Sequence, residues 1–103
     1  MADSVDDAIA QAAQTQLTPL FEDVLAQFEQ DEATYELAFF TLQYDALQRS
    51  RDDMDVAELF LQLSGVAFMG FEFSPVQAAK VDLLLARAEQ IAHALSADGS
   101  TAH

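Results

Sequence analysis

Apolar side chains recur along this chain at three- and four-residue spacing, and almost nothing interrupts them. Three glycines (Gly65, Gly70, Gly99) and two prolines (Pro19, Pro75) stand in 103 residues. That spacing puts apolar groups on one face of an α-helix, and few residues are left to make turns. A chain patterned this way has to be built from helices packed on one another. Its length suits one domain, 1–103, with a single modest core.

Local signals divide it. Both prolines follow a hydroxyl residue, as Thr18-Pro19 and Ser74-Pro75. A hydroxyl N-cap with proline at the first helical position is a strong helix start. Ser4 with Asp6 and Asp7 behind it, and Asp52-Asp53 ahead of Val56, mark two further starts. The pattern predicts helices over about 5–16, 18–30, 32–49, 53–69 and 75–97. The first carries mostly small apolar residues, so its anchoring is expected to be weak. The stripe containing Phe28 fails to continue through Leu37 and Phe40, and this phase shift at Gln30-Asp31-Glu32 predicts a tight turn. One continuous helix over 18–49 is the alternative, because no glycine or proline enforces the turn. Residues 1–4 and 97–103 are expected to be mobile tails.

Charge limits what such a bundle can touch. Residues 1–48 hold ten carboxylates and no lysine or arginine; the whole chain has 18 Asp and Glu against 4 Lys and Arg, a net charge of −14. A balance like this usually accompanies disorder, but 51% of the residues are hydrophobic, enough for a packed core. Phosphate backbones and anionic lipid are repelled, so direct nucleic-acid binding and membrane association are not expected. The most apolar stretch, Val56 to Phe73, is interrupted by Glu58, Gln62, Ser64 and Glu72 and reads as a buried helix followed by a loop. With no cysteine and no basic, apolar leader, the expectation is a cytoplasmic protein.

Two helices are apolar on more than one side. Over 32–49 one line runs through Ala33, Leu37, Phe40, Tyr44 and Leu47, and another through Tyr35, Phe39, Leu42 and Ala46. Over 53–69 the main line is Val56, Leu59, Phe60, Leu63, Val66 and Ala67, and the second is Ala57, Leu61 and Phe68. Either these helices are covered on both sides by the chain's own bundle, or the second lines form an interface. The interface reading assigns Tyr35, Phe39, Leu42, Ala57, Leu61 and Phe68 to a homodimer or partner contact. The loop residues Phe71 and Phe73 fold back as an apolar lid or serve as further anchors. Lys80 and Arg87 share a helix face that has no acid three or four residues away. They either lie along the core edge or pair with an acidic face at Glu29, Glu32 and Glu36.

Catalytic chemistry finds little support. Glu89 and His93 lie one turn apart but lack the repeated Glu-x-x-His of di-iron bundles. Asp52, Asp53, Asp55 and Glu58 lack the ligand alternation and central glycine of a calcium loop. No metal, cofactor or enzymatic activity is expected. The expected architecture is an all-α bundle of four to five helices forming a homodimer. The expected role is a non-catalytic acidic protein-binding module, a regulator, assembly factor or adaptor whose partner has a basic surface. One alternative is an acidic inhibitor, antitoxin or nucleic-acid mimic occupying a basic surface. An alternative of another class is a small metal-binding or enzymatic bundle.

Overall fold

A computed structural model describes the backbone over residues 3–101 and the side chains over 10–66 and 68–93. Among the described residues there are four helices: α1, Asp3–Gln30; α2, Thr34–Gln48; α3, Asp53–Ser64; and α4, Pro75–Thr101. A single 3-10 turn, Val66–Phe68, follows α3. Among the described residues there is no strand. Helical backbone thus reaches into both segments expected to be tails, while Met1, Ala2, Ala102 and His103 lie outside the described residues.

The largest departure from the sequence-based expectation is at Pro19. It does not start a helix; it lies inside α1, which runs unbroken from Asp3 to Gln30. An internal proline removes one backbone hydrogen bond and crowds the carbonyl four residues back, at a cost of about 3 kcal/mol. Two facts outweigh that. Pro19 and Thr15 are both exposed, so water can reach the carbonyl left without a donor. On the opposite face, Ala10, Ala13, Leu17, Phe21, Val24 and Phe28 form one continuous buried line across the proline. Full burial of a large apolar side chain contributes up to about 1.5–3 kcal/mol, and Leu17, Phe21, Val24 and Phe28 together exceed the cost of one proline. Thr18, expected as a cap, instead accepts a 2.8 Å hydrogen bond from Gln48 Nε2 at the end of α2.

Other boundaries follow local rules. Ser74 Oγ accepts from the Gln77 backbone N–H at 3.2 Å, and Gln77 Oε1 accepts from the Ser74 N–H at 3.0 Å, a reciprocal capping box at the start of α4. Asp52 Oδ1 caps α3 by accepting from the Asp55 N–H at 3.0 Å. The turn expected at 30–32 is present. The Ala33 N–H bonds the Phe28 carbonyl and the Glu32 N–H bonds that of Glu29, with Glu32 left-handed at φ 57°. This is a Schellman ending with glutamate where glycine is usual.

α1 contacts all three other helices, and α3 contacts all three as well, whereas α2 and α4 flank α1 without meeting each other. The α1–α4 register is antiparallel: Lys80 reaches Asp23 and Arg87 reaches Gln16, so seven steps forward on α4 are seven back on α1. Gln14 on α1 holds the C-terminal end of α2, its Nε2 donating to the Leu47 and Ser50 carbonyls at 3.0 and 2.9 Å. Among the described residues one buried polar atom is unpaired: Gln43 Oε1, on the core side of α2.

An interior proline predicts a specific response. Pro19→Ala restores a helical N–H on a face that water already reaches. It should raise unfolding free energy by about 1–3 kcal/mol in urea denaturation. A neutral or destabilising result would mean that Pro19 begins a helix after all.

Candidate functional site

Five phenylalanines gather where the α1–α2 turn meets the segment before α4. Phe28 and Phe40 are fully buried with ring centroids 5.3 Å apart. Phe73 stacks on Phe28 at 5.9 Å and meets Phe40 at 6.4 Å. Phe71 meets Phe39 edge-on at 5.7 Å, and Phe39 meets Phe40 at 5.2 Å. The loop turns at Gly70, whose φ of 78° is one that glycine takes without strain. The loop aromatics therefore fold back as a lid. Of the expected interface residues, Phe39, Phe71 and Phe73 are half-buried in this cluster.

The remaining five face solvent. Tyr35 is 81% exposed and Leu42 64% on α2; Leu61 is 73% and Phe68 90% exposed on and just after α3, and Ala57 is exposed as well. The second apolar lines of α2 and α3 are thus largely uncovered by the chain's own bundle. Met54 extends the α3 line, and Val76 and Leu83 add an exposed pair on α4 that sequence periodicity did not single out. Leu83, Leu84 and Leu85 stand in succession, and three consecutive leucines cannot all face one core.

Between α3 and α4 lies a cleft of about 420 Å³, with Phe60, Leu63 and Ser64 on one wall and Leu85, Ala88 and Ala92 on the other. Among the described residues Glu89 is its one charged lining residue.

The cations match the expectation only in part. Lys80 pairs with Asp23 at 3.0 Å, and Arg87 donates to Gln16 Oε1 at 3.2 Å. Neither reaches Glu29, Glu32 or Glu36, because the antiparallel register carries Lys80 and Arg87 toward the middle of α1, whereas those acids sit around the α1–α2 turn. Lys80–Asp23 is the one lysine or arginine ion pair among the described residues. Every described carboxylate is exposed or half-buried, so the negative charge lies outward and largely unneutralised.

Asp31 joins two ends of the fold. Its Oδ2 accepts from Gln27 Nε2 at 3.0 Å and from Gln77 Nε2 at 2.8 Å, tying the α1–α2 turn to the capping box of α4. The Gln27 bond first, and the Gln77 bond second, hold its carboxyl below the ordinary aspartate range. Partial burial, then its 3.2 Å bond to the Glu22 carboxylate, hold the Tyr44 phenol above its ordinary range. Glu89 and His93 are both well exposed and 3.9 Å apart. Among the described residues no group of three or more His, Asp and Glu side chains converges as a metal site. No helix there is long and apolar enough to cross a membrane.

No known family model matches the chain, and neither a curated protein nor a solved structure matches it. The functional reading rests on the geometry above.

Two outcomes follow. Phe73→Ala should cost about 2–3 kcal/mol, somewhat below a fully buried phenylalanine, whereas Phe68→Ala should change stability by under about 0.5 kcal/mol; paired urea melts compare them. Asp31 has a folded pKa below its unfolded value near 3.8. Its contribution is therefore full above that value and lost as pH falls through the lower folded one. The stability gap between the wild type and Asp31→Asn should be constant near neutrality and close below about pH 4, as read by thermal melts across pH. A gap that persists unchanged into strong acid would contradict the assignment.

Proposed function

We propose that this chain is a non-catalytic protein-binding module, a regulator, assembly factor or adaptor acting on a partner with a basic surface. The observation that carries this reading is the coexistence of uncovered large apolar side chains with an outward, unneutralised negative charge. Phe68, Tyr35, Met54 and Leu61 are each more than 70% exposed. Scattered exposed apolar residues are ordinary on a protein surface. These instead fall on helical lines, Tyr35 and Leu42 on α2 and Met54, Ala57 and Leu61 on α3. Apolar lines rimmed by polar groups are the composition of contact surfaces.

The two features have separate roles. A field of one sign steers encounter with an opposite partner and loses that advantage as salt rises. Apolar anchors set how long the complex lasts, because solvated rim charges add little affinity. Direct nucleic-acid and membrane binding run against the charge. An inhibitor or antitoxin that covers a basic surface is a special case of the same physics. The uncovered lines also support a second reading, self-association into a homodimer through α2 and α3, with salt screening the repulsion between subunits over about 8 Å.

The test takes a partner purified with the chain from its native host and follows complex formation against ionic strength. The association rate should fall about tenfold or more from low to high salt. Charge reversal at Glu29, Glu32 and Glu36 should slow association, and Tyr35→Ser with Leu42→Ser should speed dissociation. A salt-independent association rate would leave the charge with a role in solubility alone and sink the reading. Sedimentation equilibrium decides self-association, since a homodimer has twice the monomer mass of 11.3 kDa.

A further inference from the structure

The α3–α4 cleft carries an inference that rests on the protein-binding reading and makes it specific. We propose that this cleft, continued outward by Leu61, seats a basic amphipathic helix of the partner.

Its walls are apolar. Phe60 and Leu63 from α3 face Leu85, Ala88 and Ala92 from α4 across about 420 Å³, a size that accepts inserted side chains. On α3, Ala57 lies one turn from Phe60, which lines the cleft, and one turn from Leu61. The apolar surface therefore runs out of the cleft and along the exposed α3 line, farther than a small ligand would need. An apolar groove between two helices fits the helix-in-groove mode, in which residues at i, i+3 or i+4, and i+7 supply the anchors.

The charge selects the sign of the occupant. Glu89 stands in the cleft lining, and Asp82 lies seven residues earlier on the same face of α4. Asp53 and Glu58 flank the α3 side at helical spacing from Ala57 and Leu61. No cation lines the cleft among the described residues. Lys80 and Arg87 are drawn to the other flank of α4, where they bond Asp23 and Gln16. His93 lies 3.9 Å from Glu89 and is positive only when protonated. A second copy of this chain is a poor occupant, since it brings another −14 and has four cations in all. A helix with lysines or arginines along the edges of an apolar stripe meets both requirements.

The probe is a synthetic helical peptide of about four turns, with leucines at i, i+3, i+4 and i+7 and lysines on the flanks. A companion peptide keeps the leucines and carries glutamates instead. Binding is followed by fluorescence anisotropy and mapped by backbone amide shifts of the full chain. The lysine peptide should bind at least about tenfold more tightly than the glutamate peptide, with the largest shifts at residues 57–64 and 85–92. Leu61→Ser, at an exposed position that leaves folding intact, should weaken it about tenfold, and Glu89→Gln by a smaller factor.

Three peptide-binding results overturn the proposal. They are no saturable binding, equal binding of both peptides, or shifts centred on Tyr35 and Leu42. The last leaves the protein-binding reading standing and moves its site to α2. Concentration-dependent dimerisation abolished by Leu61→Ser also overturns it, by giving the cleft to a second copy. Failure of the partner experiment in the preceding subsection, with the peptide still seated here, would sink the charge-steering argument and leave the cleft.

Discussion

Burial of one face of α1 is the interaction on which the rest of this structure depends. Leu17, Phe21, Val24 and Phe28 are almost fully buried, and the helix that carries them touches every other helix. At 28 residues and 1.5 Å per residue, α1 is about 42 Å long, close to the 45 Å long dimension of the whole chain. It behaves as a spine. α2 and α4 lie along it without touching each other, and α3 closes the core. Gln14, Thr18, Gln16 and Asp23 then fix the neighbours by polar contacts along its edges.

This arrangement explains why apolar surface is left over. A spine has one inner face, and the shorter α2 and α3 each turn one line toward it: Phe40 and Leu47 on α2, and Val56, Leu59 and Leu63 on α3. Their second lines have no helix to cover them. The aromatic loop covers one part, where Phe71 and Phe73 close over Phe39 and Phe40. Tyr35, Leu42 and Leu61 stay outside. Carboxylates surround these residues because the core has no partner to offer a buried charge, so the acids stay in water. The surplus apolar lines and the outward placement of the acids both follow from a small core built around one long helix, and the sign of the field comes from 18 Asp and Glu against 4 Lys and Arg.

Where a boundary is set by neighbours in sequence, it was legible. Ser74, Pro75 and Gln77 form the capping box that their order implies, and Asp52 caps α3. The turn after Gln30 was visible as a phase shift, because the inward stripe must change when the chain reverses. That Glu32 takes the left-handed position was not visible, since glutamate has no preference for it. Thr18-Pro19 was not legible from its neighbours in sequence. It is the same kind of dipeptide as Ser74-Pro75, yet one lies mid-helix and the other starts a helix. The difference is the buried line running through position 19's neighbours, a long-range effect. The partners of Lys80 and Arg87 were missed for a related reason. They depend on the register of two helices far apart in sequence, which periodicity within either helix does not encode. The α3–α4 cleft likewise exists only once the two helices are side by side.

The spine is tested most directly by hydrogen exchange at the amides just after Pro19. In an unbroken helix the N–H groups of Leu20 and Phe21 bond the Gln16 and Leu17 carbonyls. In a helix that began at Pro19 they would be first-turn donors with no carbonyl to bond, and only one would find a cap at Thr18. Native-state exchange should find both amides protected to about the level of Val24 and Phe28, opening only with global unfolding. Exchange of Leu20 and Phe21 orders of magnitude faster than Val24, with Ala13 and Leu17 still protected, would show two helices meeting at Pro19 and contradict the account.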